Sequence, residues 1–222
     1  MTDIHPAASL VLVRDAGPQL QVLMLQRSTA LAFAPGSWVF PGGRIDDEDY
    51  PDDRGNIIAA AGNAALRETR EEAGLDVAGN DWLFFAHWTT PPNYPRRFAT
   101  WFFVAALEGD PPIRVDNSEI IDYGWVTPAE ALRRCGSGEM DMMPPAFITL
   151  TELSHCESVN AVMAMYRERG VVTYNPRFVR VDDGACMLYE GDAGYPDGNL
   201  AASGPQHRLW LLRESWKYVR QV

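Results

Sequence analysis

The apolar residues of this chain fall into short continuous runs in some places and recur every three or four positions in others, and the two patterns mark different elements. Ala8 to Arg14 and Leu20 to Arg27 are apolar runs separated by Asp15-Ala16-Gly17-Pro18, which predicts two strands in a hairpin-like opening. A loop, Ser28 to Gly36, leads to Trp38-Val39-Phe40, read as a short strand entering a tight Gly42-Gly43 turn. Ile58, Ala61, Ala65 and Thr69 then stand at helical spacing, with Gly74 placed to end a helix in the left-handed conformation. Gly62 weakens that helix by about 1 kcal/mol relative to Ala. Trp82 to Trp88 and Phe98 to Leu107 are aromatic, β-rich runs that bracket a proline-stiffened loop from Thr89 to Arg97.

Beyond Glu119 the pattern predicts a strand through Trp125 and Val126, then a helix capped by Thr127 with Pro128 at its first position. From Met140 the texture changes. Phe147, Leu150 and Leu153, then Val159, Val162, Met163 and Tyr166, suit one or two amphipathic helices whose stripe is core or a homodimer contact. Residues 171–190 and 206–212 read as short strands around a turn-rich loop, Gly191 to Gly198. Such mixed pieces are too few for a second core, so the expected organisation is a unit at 1–139 with residues 140–222 packed on it as an extension. Gly191-Asp192 and His207-Arg208 are either structural or reach a substrate from that extension.

With 222 residues, 46% hydrophobic and 22% charged, the composition is globular. The net charge of −11 argues against a nucleic-acid partner, which needs a basic stripe. An anionic ligand must therefore be met locally. Cys135, Cys156 and Cys186 form no paired-ligand spacing and fit small buried hydrophobes in a reduced cytoplasmic setting. The four histidines show no zinc spacing. No apolar run approaches membrane length, and the beginning, Met1 to Pro6, reads as no export signal.

The candidate chemistry lies in Arg67-Glu68-Thr69-Arg70-Glu71-Glu72-Ala73-Gly74-Leu75. On a helix, spacings of three and four place Glu68, Glu71 and Glu72 on one side. Three adjacent anions repel, and hard divalent ions would suit them. The alternative is a solvated face in which Arg67 pairs with Glu71. Upstream, the Gly pair of Trp38-Val39-Phe40-Pro41-Gly42-Gly43-Arg44 lets the backbone approach a ligand closely.

Together the two pieces resemble the signature of the Nudix hydrolases: a Gly, a spaced Glu, then Arg-Glu, two further residues, Glu-Glu, any residue, and Gly. Thr69 stands where an aliphatic residue is usual. The early Glu position falls on Asp49, with seventeen residues between it and Arg67 where seven are common. A ten-residue insertion, with Pro51, Asp52, Asp53 and Gly55, therefore lengthens the loop before the helix. The run Trp88-Thr89-Thr90-Pro91 with Arg96-Arg97-Phe98 and Trp101-Phe102-Phe103 is similar to the subgroup that contains the animal peroxisomal coenzyme A diphosphatases. It departs at Ala99, where an Asp is expected, and Arg220-Gln221-Val222 is no peroxisomal address.

The resemblance implies an α/β fold, an α/β/α sandwich with a mixed sheet, and hydrolysis of a pyrophosphate linkage in a nucleoside diphosphate derivative such as coenzyme A. A nucleotide sugar, a dinucleotide and a non-catalytic sensing domain are the alternatives. It implies Mg²⁺ or Mn²⁺ held by Glu68, Glu71, Glu72 and the Gly42 carbonyl, with Glu68 or Glu119 accepting the proton and Arg67 orienting a carboxylate. Arg27 and Phe33, in a loop that lies near substrate in the family, are candidate contacts, and Arg44 beside the Gly pair joins them. Arg96 and Arg97 either fork onto an anion or neutralise nearby acids.

Overall fold

The computed structural model describes residues 3–51, 55–77, 82–92, 94–213 and 215–221. Within the stretches read from the sequence, Met1, Thr2, Asp52, Asp53, Asn93 and Val222 lie outside the described residues.

Two long strands, β1 (Ile4–Ala16) and β2 (Gln19–Arg27), form the expected hairpin. They are followed by β3 (Trp38–Val39) and β4 (Gly42–Arg44). Here the sequence reading is corrected. Gly42 and Gly43 do not make a tight turn but form β4, paired antiparallel with β1 through Ser9 and Ala8. A Cβ at Gly42, whose φ is 159°, would run into the Ala8 carbonyl and Ser9, so only glycine brings this backbone so close.

Helix α1 (Ile57–Ala73) begins at Asn56, whose side chain accepts from the Ala59 N–H, and ends at Gly74 in the left-handed conformation with φ 67°. Its buried face is almost all alanine, at 60, 61, 64 and 65, so the helix lies close on Leu10, Leu12, Leu23, Leu25 and Phe103. Gly62 has a packing reason: a Cβ there would sit 2.8 Å from the Trp82 ring.

The antiparallel pair β5 (Trp82–Thr89) and β6 (Arg97–Ala106) follows, and β6 runs parallel to β1. Strand β7 (Ile120–Val126) pairs with β2 and leads into α2 (Pro128–Gly136), where the Thr127 hydroxyl accepts from the Glu130 N–H. Helices α3 (Pro144–Leu153) and α4 (Val159–Arg169) are followed by β8 (Val172–Tyr174), which adds to the first sheet beside β5. That sheet is mixed, with the main order β3-β2-β1-β6-β5-β8.

The rest is more regular than the sequence suggested. Strands β9 (Arg177–Val181), β10 (Gly184–Leu188), β11 (Gln206–Leu212) and β12 (Trp216–Gln221) make a four-stranded antiparallel sheet. Strand β12 escaped the sequence reading, although Trp216, Tyr218 and Arg220 alternate with Lys217 and Val219.

Strand alternation sorts the core. Even positions of β1 face α1, whereas Val11 and Val13, with Val22, Met24, Phe85, Trp88 and Val104, face the other way. There they join Leu150, Leu153, Tyr166, Tyr174, Tyr189 and Leu209 in one continuous apolar cluster. Of the cysteines only Cys186 is buried; Cys135 and Cys156 are half-buried. Among the described residues no helix is long and apolar enough to cross a membrane.

Candidate active site

The sheet and α1 bring Gly42, Gly43 and the carboxylates of α1 together. Glu72 is buried at 5% exposure, and its carboxylate accepts from the Gly42 N–H at 2.9 Å. It is thus the amide of Gly42, on the β4 edge, that touches the cluster. Gly43 leaves room for Glu68: a Cβ there would overlap the Glu68 carboxylate. Burial pushes the Glu72 carboxyl up to about 8, against the Gly42 hydrogen bond, and the charges of Glu68 and Glu119 raise it while Arg27 opposes them. Burial also raises Glu68, opposed by Arg67.

Arg67 organises the rest. Its Nε and Nη2 fork onto Asp49 at 3.0 and 2.9 Å, and Nη2 also donates to the Arg44 carbonyl at 3.1 Å. Nη1 donates to Glu68 at 2.9 Å and to Glu71 at 3.3 Å. Asp49 is 4% exposed and ends a single 3₁₀ turn, Asp47–Asp49, that precedes the lengthened loop. Burial works to raise its pKa, but the Arg67 and Asp46 hydrogen bonds and the Arg67 charge together hold it below the ordinary carboxylate value. The Asp49 hydrogen bond, ahead of an opposing burial, in turn raises Arg67. Sequence reasoning placed Asp49 in the motif without giving it a role. Its signal was its buried place in an otherwise exposed acidic run, which no sequence pattern reports.

Around this centre, Arg27 donates from Nε to the Phe33 carbonyl at 3.3 Å, and the Ser28 N–H donates to the Glu119 carbonyl at 2.7 Å. Glu119 therefore stands beside Arg27, its exposed carboxylate charge reaching Glu72. Phe33 packs on Phe98 with ring centroids 5.1 Å apart. Arg96 and Arg97 are separated. Arg96 is exposed, whereas Arg97 starts β6, donates from Nε to the Thr90 carbonyl at 3.1 Å and lines a pocket with residues of the C-terminal part. The Arg44 side chain is exposed.

Gly191-Asp192 and His207-Arg208 are not at this centre. Asp192 and Arg208 form a buried bidentate pair, with Nε–Oδ2 and Nη2–Oδ1 both 2.7 Å. His207 is buried, donating its amide to Asp192 and placing its ring between the Glu190 carbonyl and Tyr218.

The donor set is one of hard carboxylate oxygens. Among the described residues no three acidic, histidine or cysteine side chains close on a common point, and the Arg67 guanidinium bridges Glu68 and Glu71. Glu72, buried and held by one backbone N–H, has two anions for neighbours and Arg27 as its cation. A divalent ion fits this imbalance: it stabilises the buried anion and offsets the repulsion among the carboxylates.

The same segments carry the comparison with known proteins. The family profile described as NUDIX domain matches residues 3–144. The chain belongs to the Nudix family. A protein named putative nudix hydrolase 7, from Caenorhabditis elegans, is 30% identical over 184 residues, which take in 67% of this chain and 60% of that protein. An acyl-coenzyme A diphosphatase of Xenopus laevis is 24% identical over 272 residues, or 80% of this chain and 72% of the relative. Among solved structures, a NUDIX hydrolase from Alicyclobacillus acidocaldarius superposes with a TM-score of 0.66 at 26% identity, covering 74% of this chain and 97% of that one. The Nudix fold thus accounts for the mixed sheet and for the placement of α1 against it.

Proposed function

We propose that this Nudix chain hydrolyses a pyrophosphate linkage in a nucleoside diphosphate derivative, with coenzyme A and acyl-coenzyme A as the substrate class and Mg²⁺ or Mn²⁺ as the cofactor. The observation that carries the reading is the Glu72 carboxylate, buried against the Gly42 amide beside Glu68 and Glu119. The names of relatives such as the Xenopus laevis acyl-coenzyme A diphosphatase support the substrate class.

Glu68, Glu71 and Glu72, with the Gly42 carbonyl, would hold the metal, while the Gly42 N–H fixes Glu72. When bound, the metal neutralises the diphosphate and lowers the pKa of a coordinated water. Arg67 keeps the Glu68 carboxylate on the Gly43 side through its 2.9 Å hydrogen bond and is itself fixed by Asp49. Glu68 is thereby committed, so Glu119, exposed and next to Ser28, is the carboxylate that accepts the proton of the attacking water. Arg27 and Phe33 line the approach, Arg27 supplying positive charge for the departing phosphate.

Hydrolysis of coenzyme A with Mg²⁺ or Mn²⁺, followed by product identification, tests the reading. Release of phosphopantetheine is the expected result. Glu72→Gln should lower kcat by about 10² or more, as losing a transition-state charge contact does. Full activity after chelation of divalent ions, or in Glu72→Gln, would refute the metal role.

A further inference from the structure

Arg97, Arg177 and Arg180 line one pocket of about 760 Å³, within the size range of small-molecule sites. The chain has 30 acidic residues against 19 lysines and arginines, and its other buried or half-buried guanidinium groups mostly meet carboxylates. In this pocket, among the described residues, no lining side chain is acidic and none of the three arginines forms an ion pair. Arg177 and Arg180 are exposed and solvated, and the pocket they line with Arg97 offers an incoming anion cationic donors with no lining carboxylate in competition.

The pocket is built from both parts of the chain. Arg97 comes from the start of β6, and its Nε is already used on Thr90, leaving the outer guanidinium nitrogens available. Arg177 and Arg180 lie on β9, an edge strand of the second sheet. Tyr195 closes the side, its hydroxyl donating to the Asn175 carbonyl at 2.8 Å. The loop that carries Tyr195 is fixed by Asp192, which accepts from the Gly194 N–H and pairs with Arg208. Pro91 and Phe178 add an apolar wall. Cationic forks beside an apolar surface suit a phosphorylated, ring-bearing ligand.

The pocket and the carboxylate centre are carried by neighbouring stretches of chain. Arg27 holds the Phe33 carbonyl, Phe33 packs on Phe98, and Phe98 follows Arg97. Along β1, Ser9 pairs with Gly42 and Ile4 with Arg97, five residues apart, or ~16 Å between backbone positions.

We propose that Arg97, Arg177 and Arg180 form a second anion site, which takes a phosphate monoester that the substrate carries away from the cleaved linkage. The substrate assignment rests on the hydrolase reading above; the site itself does not. The two are separated by measuring binding and turnover independently.

Adenosine 3′,5′-bisphosphate and AMP are titrated calorimetrically, without metal, into the full chain and into Arg177→Ala/Arg180→Ala, whose side chains are exposed and whose fold is checked by circular dichroism. The expected result is at least tenfold tighter binding of the bisphosphate than of AMP, a preference lost in the variant. Equal bisphosphate affinity in both proteins overturns the site, whether or not coenzyme A is hydrolysed. In the turnover arm, the variant should raise KM for coenzyme A about tenfold at unchanged kcat and leave 3′-dephospho-coenzyme A unaffected. An equal effect on both substrates overturns the assignment of the anion to the monoester. Recruitment of the wild type to phosphatidic acid vesicles without bisphosphate binding would move the anion's source from substrate to lipid and overturn the proposal.

Discussion

The Asp192–Arg208 pair offers a double-mutant cycle whose outcome follows from its geometry. Both side chains are at most 2% exposed, the pair is bidentate at 2.7 Å, and the remaining capacity is filled by the Gly194 and His207 amides and the Leu200 carbonyl. Removing one partner strands the other charge out of water, which costs about 3–5 kcal/mol. With a urea m-value of about 2 kcal/mol/M, Asp192→Asn or Arg208→Met should lower the unfolding midpoint by about 1.5–2.5 M. Removing both, as Asp192→Asn/Arg208→Met, leaves no uncompensated charge, and the Asn side-chain oxygen still accepts from a backbone amide, so the double variant should cost much less than the sum of the singles. Burial alone would raise the Asp192 pKa, but Arg208, the two amides and the Arg208 charge hold it below the usual value. A depressed carboxylate pKa means the pair's contribution is complete above the unfolded pKa of about 3.9 and disappears as pH falls through the lower folded value. Urea melts at pH 7 and at successively lower pH read both effects. Single variants within about 0.5 kcal/mol of wild type, or a double variant as unstable as the sum, would refute the reasoning.

Other perturbations separate positioning from packing. Gly43→Ala should push the Glu68 carboxylate aside, lowering kcat at least tenfold while stability stays within about 1 kcal/mol; an active variant would place Glu68 outside the machinery. Gly62→Ala gains about 1 kcal/mol of helix propensity but meets Trp82, and overpacking costs about 1–3 kcal/mol, so a lowered melting temperature is expected and a raised one would show that Trp82 yields. Glu119→Gln should lower kcat by about 10² with little change in KM, and retained turnover would return the proton to Glu68. Asp49→Asn should loosen the Arg67 fork and lower kcat with Glu71→Gln non-additively, which a cycle of hydrolysis rates measures.

Much of the frame was legible because it rests on local signals. The apolar runs of β1 and β2, the Thr127-Pro128 start of α2 and the Gly74 end of α1 each carry their cause in a few adjacent residues. The Gly pair misled because two glycines signal a turn as readily as a backbone brought against a neighbouring strand, and only the pairing of Gly42 with Ser9 distinguishes them. The role of Asp49 was hidden by the insertion that separates it from Arg67 by eighteen positions. Arg177 and Arg180 were invisible for a similar reason: they share a pocket with Arg97, some eighty residues earlier. Contacts between distant segments leave no periodicity to read.

The long apolar cluster behind the main sheet has a bearing on where this protein can be divided. The match to the family stops at residue 144, yet Val11, Val13, Phe85 and Trp88 share one apolar cluster with Tyr166, Tyr174 and Tyr189, and β8 lies directly along β5. Cutting the chain there would leave one side of the central sheet wet and the β5 edge open to pairing with other molecules. The last third thus behaves as the missing wall of the first two, and a hybrid enzyme made by exchanging it would have to carry those strand residues along.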